Sequence, residues 1–230
     1  MENLLREYME RAFAERGIVS QPGIKPVVTV SREFGCPSKL IAQQLTKLLN
    51  KRIGMEKPAL WRYISKEVVE ATAKHLELNQ AEVNYLLNSG GKGLIEDVLA
   101  SFAPTYVSDL RIRKTITAVV RTIAEQGHVV IVGRGGVGIL QNFPDTLHVR
   151  LQAPREWRIA QVCTMNKLGI AEASRLVDQM DTKRTAFIEL MIGGKFNPYL
   201  FSLTFNCSKL SIDEIARTIM ELMETKKMTE

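Results

Sequence analysis

A parallel β-sheet covered by helices on both faces is the α/β fold this sequence predicts, and two observations lead there. Short runs rich in β-branched residues recur along the chain, and stretches with helical apolar spacing separate them, the alternation a parallel sheet requires. The runs are Val27 to Val30, VVIV at 129–132, TLHVRL at 146–151 and SLTFN at 202–206. A chain of 230 residues is long enough for one such domain with its own core and a smaller insertion.

Each element follows from local pattern. Leu4, Leu5, Tyr8, Met9, Ala12 and Phe13 share helical spacing ahead of Gly17. Residues 1–25 therefore read as an N-terminal amphipathic helix and a QPGIKP linker, a helix suited to docking on the domain or pairing with another copy as a homo-oligomer. The domain proper spans 26–226. Its first strand runs into a turn and then into PSKLIAQQLTKLLN, with Leu40, Ile41, Leu45, Leu48 and Leu49 facing inward. Residues 61–107 show a broken helical pattern, with Asn79 and Glu82 spaced as a cap and NSGGKG at 88–93 as a flexible break, and read as an inserted helical subdomain. Ser108 caps a longer helix that ends near Gln126, where Gly127 supplies the stop. Ser211 and Glu214 form a capping box that opens the last helix, which runs to about 224. Residues 227–230 read as a frayed tail.

Lys and Arg total 31 against 25 Asp and Glu, and the resulting +6 suits an anionic partner without naming one. With 45% hydrophobic and 24% charged residues the chain is neither disordered nor of low complexity. No apolar run approaches the roughly 20 residues of a membrane helix. The opening MENLLREYMERAFAERG interleaves acids and bases instead of presenting a secretory signal. No membrane partner is expected, and the chain reads as cytoplasmic. Cys36, Cys163 and Cys207 are odd in number and lack Cys-x-x-Cys spacing, while His75, His128 and His148 form no local cluster, so neither a disulfide framework nor structural zinc is expected. Cys36 reads as a small buried thiol without a base to activate it. Trp61, Trp157, His128 and His148 read as packing residues.

Sheets of this kind bind ligands beyond the carboxyl ends of their strands. The first strand runs into Ser31-Arg32-Glu33 and the second into Gly133-Arg134-Gly135-Gly136, and the third is followed by Ala153-Pro154-Arg155 with Arg158 one turn later. One arginine alone is a solvated charge or a salt bridge. Three strand ends delivering arginine to one crevice call for an anion, and the planar guanidinium fork matches phosphate oxygens. A polyphosphate site is the expectation.

Two glycine-rich segments compete for that role. Gly133, Gly135 and Gly138 match G-x-G-x-x-G, but Gly138 to Phe143 leaves roughly a turn and a half of helix before Pro144, and no acidic residue closes the next strand, which argues against dinucleotide binding. The other segment, SREFGCPSK at 31–39, occupies the first strand-to-helix junction. A phosphate-binding G-x-x-x-x-G-K-[ST] loop uses glycines so that backbone N–H groups wrap phosphate, and a lysine to bridge the outer phosphates. Here only Gly35 is retained.

Ser31-Arg32-Glu33-Phe34-Gly35, Gly133-Arg134, the Ala153-Pro154-x-x-x-Arg158 turn, Asp181-x-x-Arg184 and Asn206-x-Ser208 follow one another across roughly residues 26 to 224. In that order they resemble the cytidylate kinase-like family of P-loop proteins. The resemblance implies a P-loop kinase-like three-layer sandwich with five parallel strands, a helical acceptor-binding insertion at 61–107 and a mobile lid at 155–192. It implies phosphoryl transfer from ATP, with Mg2+, to a cytidylate-like nucleoside monophosphate or a similar small phosphorylated acceptor. Arg134 would contact the acceptor phosphate, Asp181 and Arg184 would reach acceptor sugar and phosphate from the lid side, and Arg155 and Arg158 would begin the lid arm. The ATP phosphates would lie over Ser31, Arg32, Glu33, Gly35, Ser38 and Lys39. Arg32, Lys39, Arg158 and Arg184 would be the catalytic cations, and Glu33 would hold the metal through water. The fifth strand would lie near Arg52 to Glu56.

Departures from the family pattern cluster in the loop. The family reads Gly-Ser-Gly-Gly where this chain has Gly35-Cys36-Pro37-Ser38. Pro37 has no N–H and, at the first helical position, would remove an anion-facing donor. Lys39 starts one residue late for the missing lysine, about 100° around the helix, and Arg32 is the other candidate substitute. Glu33 equally suits a salt bridge to Arg32, and Asp181 with Arg184 equally suits a helix-stabilising i,i+3 pair. The eroded loop keeps a second function open, a weakly active or inactive nucleotide-binding regulator on the same fold. Nucleic acid ranks last as a partner, because the positive charge comes without aromatic–basic interleaving or a reader motif.

Overall fold

Residues 26–53, 61–65 and 109–229 are described by a computed structural model of the chain. The expected N-terminal helix, Ser108 and residues 66–107 of the expected insertion lie outside the described residues. The elements are β1 (Val27–Arg32), α1 (Ser38–Ile53), β2 (Arg62–Ile64), α2 (Asp109–Gln126), β3 (Val129–Val132), α3 (Gly136–Ile139), β4 (Thr146–Gln152), α4 (Arg155–Asn166), α5 (Ile170–Ile192), β5 (Leu203–Asn206) and α6 (Ile212–Thr225). The strands form one parallel sheet in the order β2-β3-β1-β4-β5. No helix among the described residues is long and apolar enough to cross a membrane.

The sheet is a layer between two cores because its apolar residues point both ways. Val28, Val30, Val130, Val132, Leu147, Val149 and Leu151 face α1 and α6, where Ile41, Leu45, Leu49, Ile215, Ile219 and Met223 meet them. Val27, Val129 and Ile131 face the opposite side and pack with Val119, Val120 and Ile123 of α2 and with α3. Side chains of this size contribute roughly 1.5–3 kcal/mol each on full burial, so both faces are strongly specified. On α1 the spacing 41, 45, 49 puts Leu40 off the stripe, and it is 52% exposed where the sequence suggests an inward residue. A third, smaller cluster holds α4 against α5 through Ile159, Val162, Ala173 and Val177, with Phe34 packed onto it.

Helix ends follow local chemistry. Both halves of the Ser211–Glu214 capping box are formed, and Gly127, at φ +70°, ends α2 while its N–H donates to the Ala124 carbonyl at 2.9 Å.

Three expectations need correction. The fifth strand is Arg62–Ile64, whereas Arg52 and Ile53 still belong to α1. It is placed from a distance: Asn50 of α1 donates its side-chain amide to the Trp61 carbonyl at 2.8 Å and accepts from the Trp61 N–H at 2.7 Å. Residues 61–65, expected to open the helical insertion, therefore belong to the sheet edge. The first strand extends to Arg32 because Ser31 and Arg32 pair with Arg150 and Leu151 of β4. The tail does not fray at 227: Met228 is 4% exposed, and its N–H donates to the Met223 carbonyl at 2.8 Å.

Candidate functional site

The order in which strands are added to the parallel sheet switches sides at β1. β3 lies on one side and β4 on the other, so the loops leaving β1 and β3 open into a shared crevice at the carboxyl edge. Gly133, Arg134 and Gly135 all take left-handed conformations, φ +74°, +55° and +67°. For the arginine this costs of order 1–2 kcal/mol, local strain that fixes where its side chain leaves the turn. Arg134 Nε donates to the Ser65 carbonyl at 3.1 Å. A Cβ at Gly133 would come within 2.0 Å of Arg32 Nη1, so any side chain there would displace the Arg32 guanidinium. The Arg32 guanidinium thus lies across the turn that carries Arg134.

Arg184 enters the same place from α5. Its Nη1 lies 3.4 Å from the Arg32 carbonyl, and its guanidinium sits 5.0 Å over the Phe34 ring. Burial, then Arg184 and Arg134, push the Arg32 guanidinium down to about 9. Arg184 is pushed down to about 10, chiefly by burial, with Asp181 opposing and Arg134 and Arg158 adding to the effect. No carboxylate pairs directly with Arg32 among the described residues. The three guanidinium groups thus lie together in a partly desolvated place, each disfavouring the charge of the others.

Beside loop 33–37 lies a cleft of about 280 Å³ lined by Glu33, Gln152, Ala153, Pro154 and Asn206. The loop is held by the two expected lid helices. Arg158, 7% exposed, donates from Nε to the Ala153 carbonyl at 3.0 Å and from Nη1 to the Phe34 carbonyl at 3.2 Å, and it pairs with Glu33 and Asp181. Asp181 Oδ1 accepts from the Phe34 N–H at 2.7 Å. Gly35, at φ +95°, passes so close to α4 that a Cβ would sit 2.9 Å from the Arg158 carbonyl. Asn206 Oδ1 accepts from the Ser208 N–H and hydroxyl at 3.0 and 2.7 Å, which explains Asn206-x-Ser208 as a turn after β5.

The expected site residues therefore separate. Arg32, Arg134 and Arg184 converge. Arg158 does not reach over the cluster as a lid cation, because two carboxylates and two carbonyls engage it inside the domain. Arg155 lies outside as well, on the exposed face of α4, bridging Asp178 at 2.8 Å and Ser174 at 2.6 Å. Asp181 is directed at the loop and at Arg158. Ser31 is a buried strand residue. Lys39 is exposed in the first turn of α1.

Glu33 forms its ion pairs with Arg150, at 3.5 Å, and Arg158, at 3.3 Å, and also accepts from the Ala153 N–H at 3.1 Å. The pair with Arg32 that the sequence allows is replaced by these. A carboxylate facing two guanidinium groups and an amide does not fit the metal-holding role, since the surrounding positive charge opposes a divalent cation. Donors of the loop are likewise reduced. The Cys36 and Ser38 N–H groups turn inward to the Glu33 and Cys36 carbonyls, and Pro37, whose carbonyl accepts from Ile41, caps α1 without an N–H. The Ser38 side chain is buried. Cys36 is buried, and its thiol is pushed above the ordinary range by the hydrogen bond to Cys207 and by burial, which disfavours its thiolate.

Two residues of this arrangement received no role from the sequence. Phe34 links the loop to α4 and α5, and Arg150 balances Glu33 while lying 4.6 Å over the Phe196 ring. An arginine inside the TLHVRL strand is the signal that could have marked Arg150, and Phe34 stands inside the Ser31-Arg32-Glu33-Phe34-Gly35 motif.

The profile of the Cytidylate kinase-like family matches residues 27–209. A search of curated proteins finds no match. Among solved structures, an uncharacterized protein from Eubacterium ventriosum is 19% identical, covering 87% of this chain and 99% of its own, with a TM-score of 0.63. A shikimate kinase from Bacteroides thetaiotaomicron is 12% identical, covering 86% of this chain and 98% of its own, with a TM-score of 0.51. At these identities the likeness is one of fold, and the fold is that of the P-loop kinases.

Proposed function

Because the chain belongs to the cytidylate kinase-like family, we propose that it transfers a phosphoryl group from ATP to a nucleoside monophosphate, cytidylate-like, or to a similar small phosphorylated acceptor. Family membership supports phosphoryl transfer in general. The observation that supports the acceptor half is the meeting of Arg32, Arg134 and Arg184 at the β1–β3 edge. Transfer of this kind needs little covalent help; it needs reactants in line, charge neutralised and water excluded. In this reading the acceptor phosphate sits against Arg134 and Arg32, and Arg184 closes it from α5. Asp181, three residues earlier on that helix, orients Arg184 by charge. The donor phosphates lie on the other side of the loop at the start of α1, where Gly35, Lys39 and Leu40 present N–H groups without a protein acceptor among the described residues and Lys39 supplies the cation. Magnesium, which the resemblance implies, would enter as the counter-ion of ATP; Glu33 is not assigned to it.

A second reading, a nucleotide-binding regulator with little or no turnover, is favoured by Pro37 and the inward-turned Cys36 and Ser38 amides. One experiment separates the two. Incubated with ATP, Mg2+ and a panel of nucleoside monophosphates, the wild type phosphorylates at least one acceptor, and Arg134→Ala reduces kcat/KM by about 100-fold, in line with losing a charge-assisted contact to the reacting phosphate. ATP binding without transfer to any acceptor establishes the regulator instead.

A further inference from the structure

Phe34 is held on three sides. Its N–H donates to Asp181, its carbonyl accepts from Arg158, and Arg184 covers its ring. The second carboxylate oxygen of Asp181 accepts from Arg158 Nη1. One carboxylate therefore joins a backbone N–H to a buried guanidinium, the donor pair that an oxygen of a phosphoryl group also accepts from. Arg158 does not depend on Asp181 for neutralisation, since Glu33 Oε2 lies 3.3 Å from its Nε. The pair adjoins the cation cluster, because Asp181 and Arg184 are one helical turn apart on α5.

We propose that the Phe34 N–H and Arg158 form an oxyanion subsite that Asp181 fills from within the chain, so that a phosphoryl group engages the loop there only by displacing the Asp181 carboxylate. The inference rests on the phosphoryl-transfer reading and deepens it. Asp181 is then an internal competitor and a positioning residue rather than a contact for acceptor sugar. Tethered on the same chain, it acts at a high effective concentration and keeps the affinity of the resting protein for phosphate low. Displacement removes one of the ties between α5 and the loop, leaving those of Arg184 to the Arg32 carbonyl and the Phe34 ring, which couples anion binding to the position of Arg184. A purely structural ion pair predicts the opposite response to its removal.

The test is titration calorimetry with inorganic pyrophosphate on the full chain at fixed ionic strength. Asp181→Asn tightens binding by about tenfold, the worth of one displaced charge-assisted hydrogen bond. Asp178→Asn removes the same charge from the exposed face of the same helix and changes affinity by less than about twofold, as a screened surface charge should. Unchanged or weaker binding in Asp181→Asn overturns the proposal, and so does an equal gain in both variants. If Asp181→Asn does not fold, Asp181→Ser serves in its place. Wild-type hydrogen exchange gives an independent reading: saturating pyrophosphate changes the exchange rate of the Phe34 amide, and an unaltered rate overturns the subsite. Arg134→Ala keeps the two readings apart. If it binds pyrophosphate like wild type while Asp181→Asn gains affinity, the arginine cluster loses its role and the subsite stands; loss of binding in Arg134→Ala with no gain in Asp181→Asn has the reverse meaning.

Discussion

Replacing Arg32 by methionine removes one of the three cations that meet at the β1–β3 edge. Burial, with Arg184 and Arg134 beside it, pushes the Arg32 guanidinium down to about 9, a shift that would cost its charged form roughly 5 kcal/mol in a fully desolvated site. The Arg32 side chain keeps an edge in water, so about 1–2 kcal/mol is the share expected in solution. Methionine keeps an unbranched stem to lie across Gly133 and has no charge. Without phosphate, Arg32→Met therefore melts higher than wild type by about 2–8 °C, taking 2–4 °C per kcal/mol for a domain of this size. Arg32→Lys retains the charge and shows no such gain. With saturating pyrophosphate the order reverses: wild type gains stability by mass action and Arg32→Met gains little. Differential scanning calorimetry with and without pyrophosphate measures both effects. A lower Tm for Arg32→Met in the absence of anion, or an equal pyrophosphate shift in both proteins, refutes the assignment of Arg32 to anion binding.

Gly133→Ala places a methyl group 2.0 Å from Arg32 Nη1 in a residue at φ +74°. Arg32 must move, and we expect a stability loss of about 1–3 kcal/mol together with weaker pyrophosphate binding, read by denaturant unfolding and calorimetry; wild-type binding in this variant would show that the Arg32 position is immaterial. Stability also depends on two buried histidines. His148, whose Nδ1 lies 2.7 Å from Thr29 Oγ1, and His128 are both held below the ordinary range by burial, His128 also by Arg62. A base depressed in the native state takes up fewer protons there than in the unfolded chain, so the stability is complete above the unfolded value of about 6.5 and is lost as pH falls through it towards the folded values. Tm should drop between about pH 7 and pH 5, and the His128→Gln/His148→Gln double variant should flatten that part of the profile; the same slope in both proteins would remove the histidines from this role.

Strands β1, β3, β4 and β5, the capping box of α6 and the glycine stop of α2 were legible because each is a local pattern: β-branched runs, an S-x-x-E spacing, a glycine after the last helical turn. β2 was not. Its three residues, Arg62, Tyr63 and Ile64, are too few to show a period, and Asn50 and the edge of β3 decide their pairing. The tail was misread for the same reason, since Met228 becomes ordered by a core that lies elsewhere in the chain.

In the site, the arginines after β1 and β3 and the Asp181-x-x-Arg184 pair stood out in the chain, yet their partners did not. Arg32, Arg134 and Arg184 share a crevice, while Arg155 turns to solvent and Arg158 turns inward to Glu33 and Asp181. Periodicity records which face of an element is buried, because that burial repeats every second or every third to fourth residue. Which carboxylate neutralises which guanidinium follows from distances between atoms more than 100 positions apart, as with Glu33 and its partners Arg150 and Arg158, and those distances exist only once the sheet has formed and the helices have packed.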